Sequence, residues 1–264
     1  MLDRLKHLLG GGVETLARPA SGRTVADVFD ALRREVDPAA ARAAASNPAE
    51  DAFYAQDDRL TVKWHHYLGI YHRHLAQFRG TGVRLLEIGV HNGGSLQVWR
   101  RYLGPDAVIH GLDVDPRCAA VDDGDLTVHI GSQDDRELLG RIVAEMGGID
   151  VVVDDGSHVW SHQIATFETL FPLLSDHGIY LCEDTHTSYW PEYGANWPDA
   201  KSFVTYAREL VDRLHAPYAL EPTRAGDDFG RTTACISFHD SIVAIEKAPS
   251  VPPFHTAVGR RAIV

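Results

Sequence analysis

Two short segments of the chain concentrate acidic side chains that could do chemistry. Residues 154–158 have the sequence DDGSH, and Glu183 and Asp184 open a second segment that continues into polar and aromatic residues. Each segment follows an apolar run that we interpret as a buried parallel strand. If the two strands are neighbours, they lie about 4.8 Å apart and their carboxylates converge at one edge of a cleft.

Three of these acids have the chemistry of a metal site. Converging carboxylates repel one another unless a cation joins them, and Asp155, Glu183 and Asp184 offer hard oxygen ligands with no thiolate beside them. Such a set favours Mg²⁺, or Mn²⁺ in its place, over zinc. The alternative is that the acids cap the following helices and face solvent. We predict a metal site formed by Asp155, Glu183 and Asp184.

His158 is the candidate general base, because it follows Asp155 by three residues on the same turn. An imidazole, with a reference pKa of about 6.5, can remove the proton of a hydroxyl that a metal has made more acidic. The chain has 15 histidines, so the position and not the residue type carries this prediction. We expect His162 to be structural, and His186 is a weaker candidate for the base.

The elements that must position these residues alternate in type from residue 83 onward. Five apolar runs, VRLLEIG, AVIHGLDVD, LTVHIGS, IDVVVDD and GIYLCED, are separated by segments with helical character. A later segment, TTACISFHDSIVAIEK, predicts two strands around His239 and Asp240, preceded by a helix in AKSFVTYARELVDRLHA. This pattern predicts a doubly wound, Rossmann-like α/β fold whose mostly parallel seven-stranded sheet ends in a C-terminal antiparallel hairpin.

The chain divides into three parts by composition. We predict an N-terminal helical appendage over residues 1–56, a core domain over 57–250 and a C-terminal tail over 251–264. One helix is expected within residues 21–38, with an apolar face of Val25, Val28, Phe29 and Leu32. A second, within residues 61–80, has an apolar and aromatic stripe that we assign to the core, formed by Trp64, Tyr67, Leu68, Tyr71, Leu75 and Phe78.

Composition excludes several classes of function. With 25 basic and 37 acidic residues, the chain of 264 residues has a formal charge of -12, which argues against binding to nucleic acid or to an anionic membrane. No apolar run approaches the roughly 20 residues of a membrane span, and the first residues lack a signal-peptide pattern, so we expect a cytoplasmic protein. Cys118, Cys182 and Cys235 form no metal-binding pair and are expected to be reduced core residues.

The first predicted strand runs into a glycine-bearing turn, residues 87–95, that opens a helix. Such turns bring the backbone close to a ligand. A dinucleotide fingerprint has the pattern G-x-G-x-x-G, whereas here Gly89 and Gly93 are separated by three residues and His91 lies between them. An NAD-dependent oxidoreductase is therefore disfavoured. Asp113 ends the second strand, where a ribose diol would lie, and Ser132-Gln133 follow the third, where they suit an adenine edge.

Together these three strand ends resemble the class I S-adenosylmethionine (SAM)-dependent methyltransferases. In that family the glycine turn holds the amino-acid part of SAM, the acid after the second strand holds the ribose, and the turn after the third strand holds the adenine. His91 replaces the glycine that is usual in the middle of the turn. The resemblance implies that SAM is bound by Glu87, Gly89, Gly93, Ser95, Asp113, Ser132, Gln133 and Asp154.

A more specific pattern resembles the metal-dependent sugar O-methyltransferases of antibiotic biosynthesis, which include mycinamicin and rhamnosyl O-methyltransferases. The pattern comprises DDGSH at 154–158, His162-Gln163, Phe171-Pro172 and E-D-x-x-T-S-Y-W from Glu183. The resemblance extends over about residues 57–245 and includes the segment Lys63-Trp64-His65, which precedes the core. The resemblance implies Mg²⁺ bound by the three predicted ligands and His158 as the base.

The function implied is methylation of a sugar hydroxyl of a glycosylated natural product, so the expected partner is a small-molecule glycoside acceptor. A homo-oligomer is also expected. Two alternatives stay open: methylation of a catechol-like phenolic, whose paired oxygens resemble a sugar diol, and a non-catalytic binding protein on the same fold. Residues 188–198 contain four aromatic side chains, which predict either an acceptor-binding loop or an oligomer contact.

Overall fold

The computed structural model describes residues 27, 31–194, 201–218, 220, 228–249 and 254–261. Its centre is a seven-stranded sheet in the order β3-β2-β1-β4-β5-β7-β6. The first five strands in this order are parallel, and β7 and β6 complete the sheet as an antiparallel pair. The predicted fold class is confirmed. The strands are β1 (Arg84–Ile88), β2 (Val108–Asp113), β3 (Leu126–Ile130), β4 (Ile149–Asp154), β5 (Leu174–Cys182), β6 (Thr233–Phe238) and β7 (Val243–Lys247).

Helices cover both faces of this sheet, which is why its central strands are apolar on both sides. Val151, Val152 and Val153 of β4 are all fully buried, as expected for a strand between two layers. One core contains Tyr67, Leu68 and Trp99, and the other contains Leu139, Phe167 and Phe203. The described α-helices are α1 (Pro38–Ala43), α2 (Pro48–Tyr54), α3 (His65–Leu75), α4 (Gly94–Leu103), α5 (Arg136–Glu145), α6 (Trp160–Leu170), α7 (Phe203–His215) and α8 (Asp228–Thr232).

The strand order brings the predicted functional segments together. β1 lies between β2 and β4, and Asp154 of β4 is in register with Cys182 of β5. The glycine turn after β1 is therefore adjacent to the acidic segment after β4, which is adjacent to Glu183 and Asp184 after β5. The expected neighbourhood of strands four and five, on which the convergence of carboxylates depended, is confirmed.

The last part of the predicted N-terminal appendage packs against the core of the sheet domain. Asn47 caps α2 ahead of Pro48, and Ala49 and Ala52 of that helix are buried in the same core as α3 and α4. Half of the helix expected within residues 21–38 lies outside the described residues, and Leu32, expected on its apolar face, is 52% exposed. The boundary at residue 56 stays a prediction. Within the described ranges, no helix is both long and apolar enough to cross a membrane.

A histidine pair joins two neighbouring strands at the sheet edge. Nδ1 of His110 on β2 lies 2.9 Å from Nε2 of His129 on β3. Burial lowers the pKa of both imidazoles, and for His110 the proximity of His129 lowers it further. Both side chains are therefore held in the neutral form around neutral pH.

We predict that this pair contributes to the loss of stability in acid. The unfolded chain takes up protons on these histidines near pH 6.5, before the folded protein does, so stability is present above that pH and falls as the pH is lowered through it. The melting temperature of His129→Gln should fall less between pH 7.5 and 5.5 than that of the wild type. His177→Gln, at an exposed position of β5, is the matched control and should keep the wild-type slope. Equal slopes for all three proteins would contradict the prediction.

Candidate active site

The turn after β1 brings the backbone of the chain against the acidic segment. Gly89 has φ of 95°, and a Cβ at this position would overlap the carbonyl oxygen of Asp155. Gly93, with φ of 81°, is the N-cap of α4, and a Cβ there would overlap Val121. Both positions therefore require glycine. The backbone of the predicted cofactor-binding turn at Gly89 therefore packs directly against the backbone of Asp155, the first predicted metal ligand.

Asp113 anchors this turn. The backbone N–H groups of Val90 and His91 donate to its Oδ2 at 3.0 and 2.9 Å, and the N–H of Asp115 donates to Oδ1 at 2.9 Å. The carboxylate thus fixes the conformation of the glycine turn from the neighbouring strand. Sequence reasoning missed this role, and the predicted bond from Asp113 to a ribose stays a prediction.

Glu87 lies at the end of β1 and is fully buried. Ser95 Oγ donates to its Oε2 at 2.6 Å, and Trp99 Nε1 donates to its Oε1 at 3.1 Å. Burial raises the pKa of Glu87 to about 7, although the nearby Lys63 opposes this shift. Glu87 and Ser95, both predicted to bind the cofactor, are therefore bonded to each other at the start of α4.

Gln133 and Asp154 form a buried polar link between β3 and β4. Gln133 Nε2 donates to Asp154 Oδ1 at 3.1 Å, and Gln133 Oε1 accepts the N–H of Ser157 at 2.7 Å. Tyr180 Oη donates to Asp154 Oδ2 at 2.5 Å, and burial raises the pKa of Asp154 to about 6. Ser132 Oγ donates to Asp134. These contacts hold the segment before His158 in place, and the expected contacts with SAM stay predictions.

Two of the predicted metal ligands converge with the predicted base. Asp155, His158 and Asp184 each offer a ligand atom within 4.8 Å of the others. His158 Nε2 lies 3.9 Å from Asp155 Oδ1 and 3.7 Å from Asp184 Oδ2. Glu183 is bonded differently: its Oε2 accepts from Lys63 Nζ at 2.8 Å and its Oε1 accepts from Tyr71 Oη at 2.7 Å.

Helix α3 and the residue before its N-cap supply hydrogen-bond donors to these acids. Lys63 Nζ also donates to Asp155 Oδ2 at 2.6 Å, and Tyr67 Oη donates to Asp184 Oδ1 at 2.6 Å. Burial would lower the pKa of Lys63, but Asp155, Glu183 and Glu87 raise it well above its usual value.

Sequence reasoning assigned the stripe of α3 to the core and missed these contacts. The rings of Tyr67 and Tyr71 are in the core as expected, while their hydroxyl groups reach the site. The spacing of four residues from Tyr67 to Tyr71 is the signal that could have identified these two hydroxyl groups as lying on one face of α3.

Strained backbone is concentrated around the site. Among the described residues, the non-glycine residues with positive φ are His91 at 51°, His158 at 58°, Asp184 at 52° and Ser241 at 62°. The first three lie in the turns after β1, β4 and β5, and the Ser241 carbonyl accepts the N–H of Thr185 next to Asp184. Each such residue is held in its unfavourable conformation by the surrounding structure. This grouping is typical of a functional site.

The remaining candidate histidines lie around this centre. His162 Nδ1 is 3.0 Å from Ser157 Oγ, a contact between the first turn of α6 and the β4–α6 loop. His186 is bonded to Ser241 Oγ and packs against Trp190, and burial lowers its pKa. Tyr193 packs edge-on against His158 at 5.9 Å between ring centroids. Residues 195–198 of the predicted acceptor loop lie outside the described residues.

The carboxylate oxygens and the imidazole at this site are suitable ligands for a hard cation. Asp155 Oδ2 and Glu183 Oε2 already hold a positive charge, the Lys63 ammonium, at 2.6 and 2.8 Å. Asp184 and His158 lie beside them, and His158 Nδ1 is buried without a hydrogen-bond partner in the described part of the chain. Three carboxylates with an adjacent imidazole match the oxygen-rich ligand set of Mg²⁺ or Mn²⁺.

Comparison with known families agrees with this geometry. Residues 86–185, from β1 to just beyond Asp184, match a family model described as a methyltransferase domain. This range contains the glycine turn, the segment DDGSH and both acids after β5.

Two curated relatives of the chain come from Streptomyces olivaceus. The 8-demethyl-8-alpha-L-rhamnosyl tetracenomycin-C 2'-O-methyltransferase of Streptomyces olivaceus is 37% identical over 198 residues, which are 70% of this chain and 51% of the relative. The 8-demethyl-8-(2-methoxy-alpha-L-rhamnosyl)-tetracenomycin-C 3'-O-methyltransferase of the same organism is 34% identical over 234 residues, 83% of this chain and 59% of the relative. The chain thus spans little more than half the length of these relatives.

A solved structure with the same fold is the MycE methyltransferase from the mycinamycin biosynthetic pathway in complex with Mg, SAH and mycinamycin VI. It superposes with a TM-score of 0.66 at 29% identity, over 76% of this chain and 53% of the other. The resemblance expected from the sequence to sugar O-methyltransferases of antibiotic pathways is confirmed.

The glycine turn provides a test of the cofactor end of the site. Gly89→Ala should lower the melting temperature by about 5 °C or more and weaken binding of S-adenosylhomocysteine (SAH) at least tenfold. A positive φ costs a residue with a Cβ about 1–2 kcal/mol, and the overlap with Asp155 adds to this. Calorimetric titration with SAH and thermal unfolding would measure both effects.

Gly140→Ala is the matched control, because Gly140 lies within α5 and a Cβ there meets nothing within 4 Å. This variant should bind SAH normally and gain about 0.5–1 kcal/mol of stability. Wild-type stability and SAH affinity in Gly89→Ala would contradict the close approach at this turn.

Proposed function

We propose that this protein is a SAM-dependent and Mg²⁺-dependent O-methyltransferase that methylates a sugar hydroxyl of a glycosylated natural product. The observation that carries the proposal is the convergence of Asp155, His158 and Asp184 directly beside the glycine turn after β1. A methyl donor held by the turn would lie next to the acids and to a base. The relatives named above and the ligands in the MycE complex support the same assignment.

The chemistry of methyl transfer leaves the protein two tasks. SAM carries a good leaving group on sulfur, so the chain must align the acceptor oxygen with the methyl group and remove the hydroxyl proton. A bound Mg²⁺ would supply a contact for two neighbouring acceptor oxygens and increase the acidity of the hydroxyl. The glycine turn, fixed by Asp113, orients the donor side of the site.

His158 performs the proton removal in this proposal. Its imidazole lies between the carboxylates of Asp155 and Asp184, which stabilise the positive charge that the ring gains with the proton. Tyr193 packs against one side of the ring and limits its rotation. Close packing and burial also keep bulk water away from the reacting oxygen.

The role of His158 is tested by His158→Asn. Asparagine tolerates a positive φ but cannot take the proton, so the backbone conformation is retained while the base is lost. We expect kcat to fall by about 10²- to 10⁴-fold. SAH affinity should stay near the wild-type value, because His158 contacts the acids and Tyr193 rather than the glycine turn.

The matched control for this variant is His177→Asn at an exposed position, which should leave kcat unchanged. A wild-type kcat in folded His158→Asn would transfer the base role to another group, with His186 the next candidate.

The reaction itself is tested by incubating the protein with SAM, Mg²⁺ and a panel of glycosides and catechols, and detecting a gain of one methyl group by mass spectrometry. We expect methylated glycoside in the presence of Mg²⁺ and none after chelation.

Asp184→Asn should lower the affinity for the metal at least tenfold, since it removes a charged ligand, while SAH binding is retained.

Two outcomes would contradict the proposed function. Full turnover after chelation would show that Asp155, Glu183 and Asp184 have a purely structural role. Methylation of catechols alone would show that the acceptor is a phenolic compound and not a sugar.

A further inference from the structure

Lys63 lies between the two halves of the proposed site. Its side chain is only 6% exposed, and its Nζ lies 2.6 Å from Asp155 Oδ2 and 2.8 Å from Glu183 Oε2. Glu87 Oε1 lies 3.8 Å from the same nitrogen. The first two acids are predicted metal ligands, whereas Glu87 belongs to the segment predicted to bind the amino-acid part of SAM. One buried cation therefore faces both subsites.

The ammonium lies where two predicted ligands of the metal converge. Both oxygens of Glu183 are satisfied by Lys63 and Tyr71, and Asp155 Oδ2 is satisfied by Lys63. A divalent ion bound by these same oxygens would lie against the ammonium, and two like charges at that distance repel strongly inside a protein. The ion and this position of Lys63 are thus mutually exclusive.

Lys63 has a nearby alternative to this position. Glu87 is already within 3.8 Å, and its carboxylate is held fixed by Ser95 and Trp99. The amino-acid part of SAM and of SAH carries a carboxylate, which would lie near this end of the glycine turn. A small movement of the flexible lysine side chain would exchange the metal ligands for these acceptors.

We propose that Lys63 is an internal counter-ion that neutralises Asp155 and Glu183 before the metal binds and then moves toward Glu87 and the cofactor carboxylate. This inference rests on the proposed function, because it takes the two acids as metal ligands. Its consequence is a coupling between ligands: metal binding releases Lys63 to the cofactor, and a bound cofactor keeps Lys63 away from the acids. By linkage, each ligand tightens the binding of the other by the same factor.

The coupling is measured with Mn²⁺ and SAH. SAH lacks the sulfonium charge of SAM, so it adds no direct repulsion of the metal. Mn²⁺ binding is followed by the electron paramagnetic resonance signal of the free ion, with and without saturating SAH. In the wild type we expect SAH to tighten Mn²⁺ binding at least fivefold, within the usual range of coupling between sites.

Lys63→Met is the decisive variant, because it retains much of the apolar side chain and removes the charge. Mn²⁺ should bind more tightly than in the wild type, and SAH should change its affinity less than twofold. Tighter Mn²⁺ binding alone would also follow from the loss of a nearby positive charge, so the loss of coupling is the diagnostic result. Lys201→Met, at an exposed lysine, is the matched control and should keep the wild-type coupling.

The outcomes separate this proposal from the proposed function. If the wild type binds Mn²⁺ and SAH without coupling, or if Lys63→Met keeps the full coupling, Lys63 is a fixed structural ion pair and the proposal is wrong. If the wild type binds neither ligand, the proposed function is wrong, and the proposed role of Lys63, which rests on it, is wrong as well. Should Lys63→Met fail to fold, Lys63→Gln and the coupling in the wild type decide the question.

Discussion

Burial of negative charge at one end of the sheet is the constraint on which the other contacts of the site depend. Glu87, Asp154 and Glu183 are almost completely buried, and Asp155 lies among them. Unpaired buried carboxylates are costly, so each has donors supplied by other elements. Lys63 and Tyr71 donate to Asp155 and Glu183, Gln133 and Tyr180 donate to Asp154, and Ser95 and Trp99 donate to Glu87. The packing of α3 against the sheet is therefore as much a requirement of electrostatics as of apolar burial.

The fold and the neighbourhood of the acids could be predicted because they depend on local patterns. Continuous apolar runs specify buried parallel strands, and acids at the ends of two adjacent strands must meet. The contacts of Lys63 could not be predicted in the same way, since its partners lie 92 and 120 residues further along the chain. A lysine before an aromatic helix has no local signature that distinguishes an exposed side chain from one buried among carboxylates.

The side chains at the strand ends also show that the type of a residue does not by itself determine its function. Asp113 and Gln133 are of the types that bind ribose and adenine, yet in this structure they hold the glycine turn and the segment after β4. The same groups can bind a ligand and fix the loop that receives it, because a carboxylate has several acceptor sites. Substituting such a residue removes both contributions at once, so a loss of binding by itself does not separate them.

In the part of the chain that the structure describes, the four non-glycine residues with positive φ have a consequence for the evolution and engineering of this protein. Each is a site where glycine or asparagine would relax the backbone, so a search for thermostable variants is drawn to these positions first. Three of them belong to the turns that carry the proposed chemistry. Selection for heat resistance alone would thus tend to erode function here, whereas selection for activity would retain residues that stability disfavours.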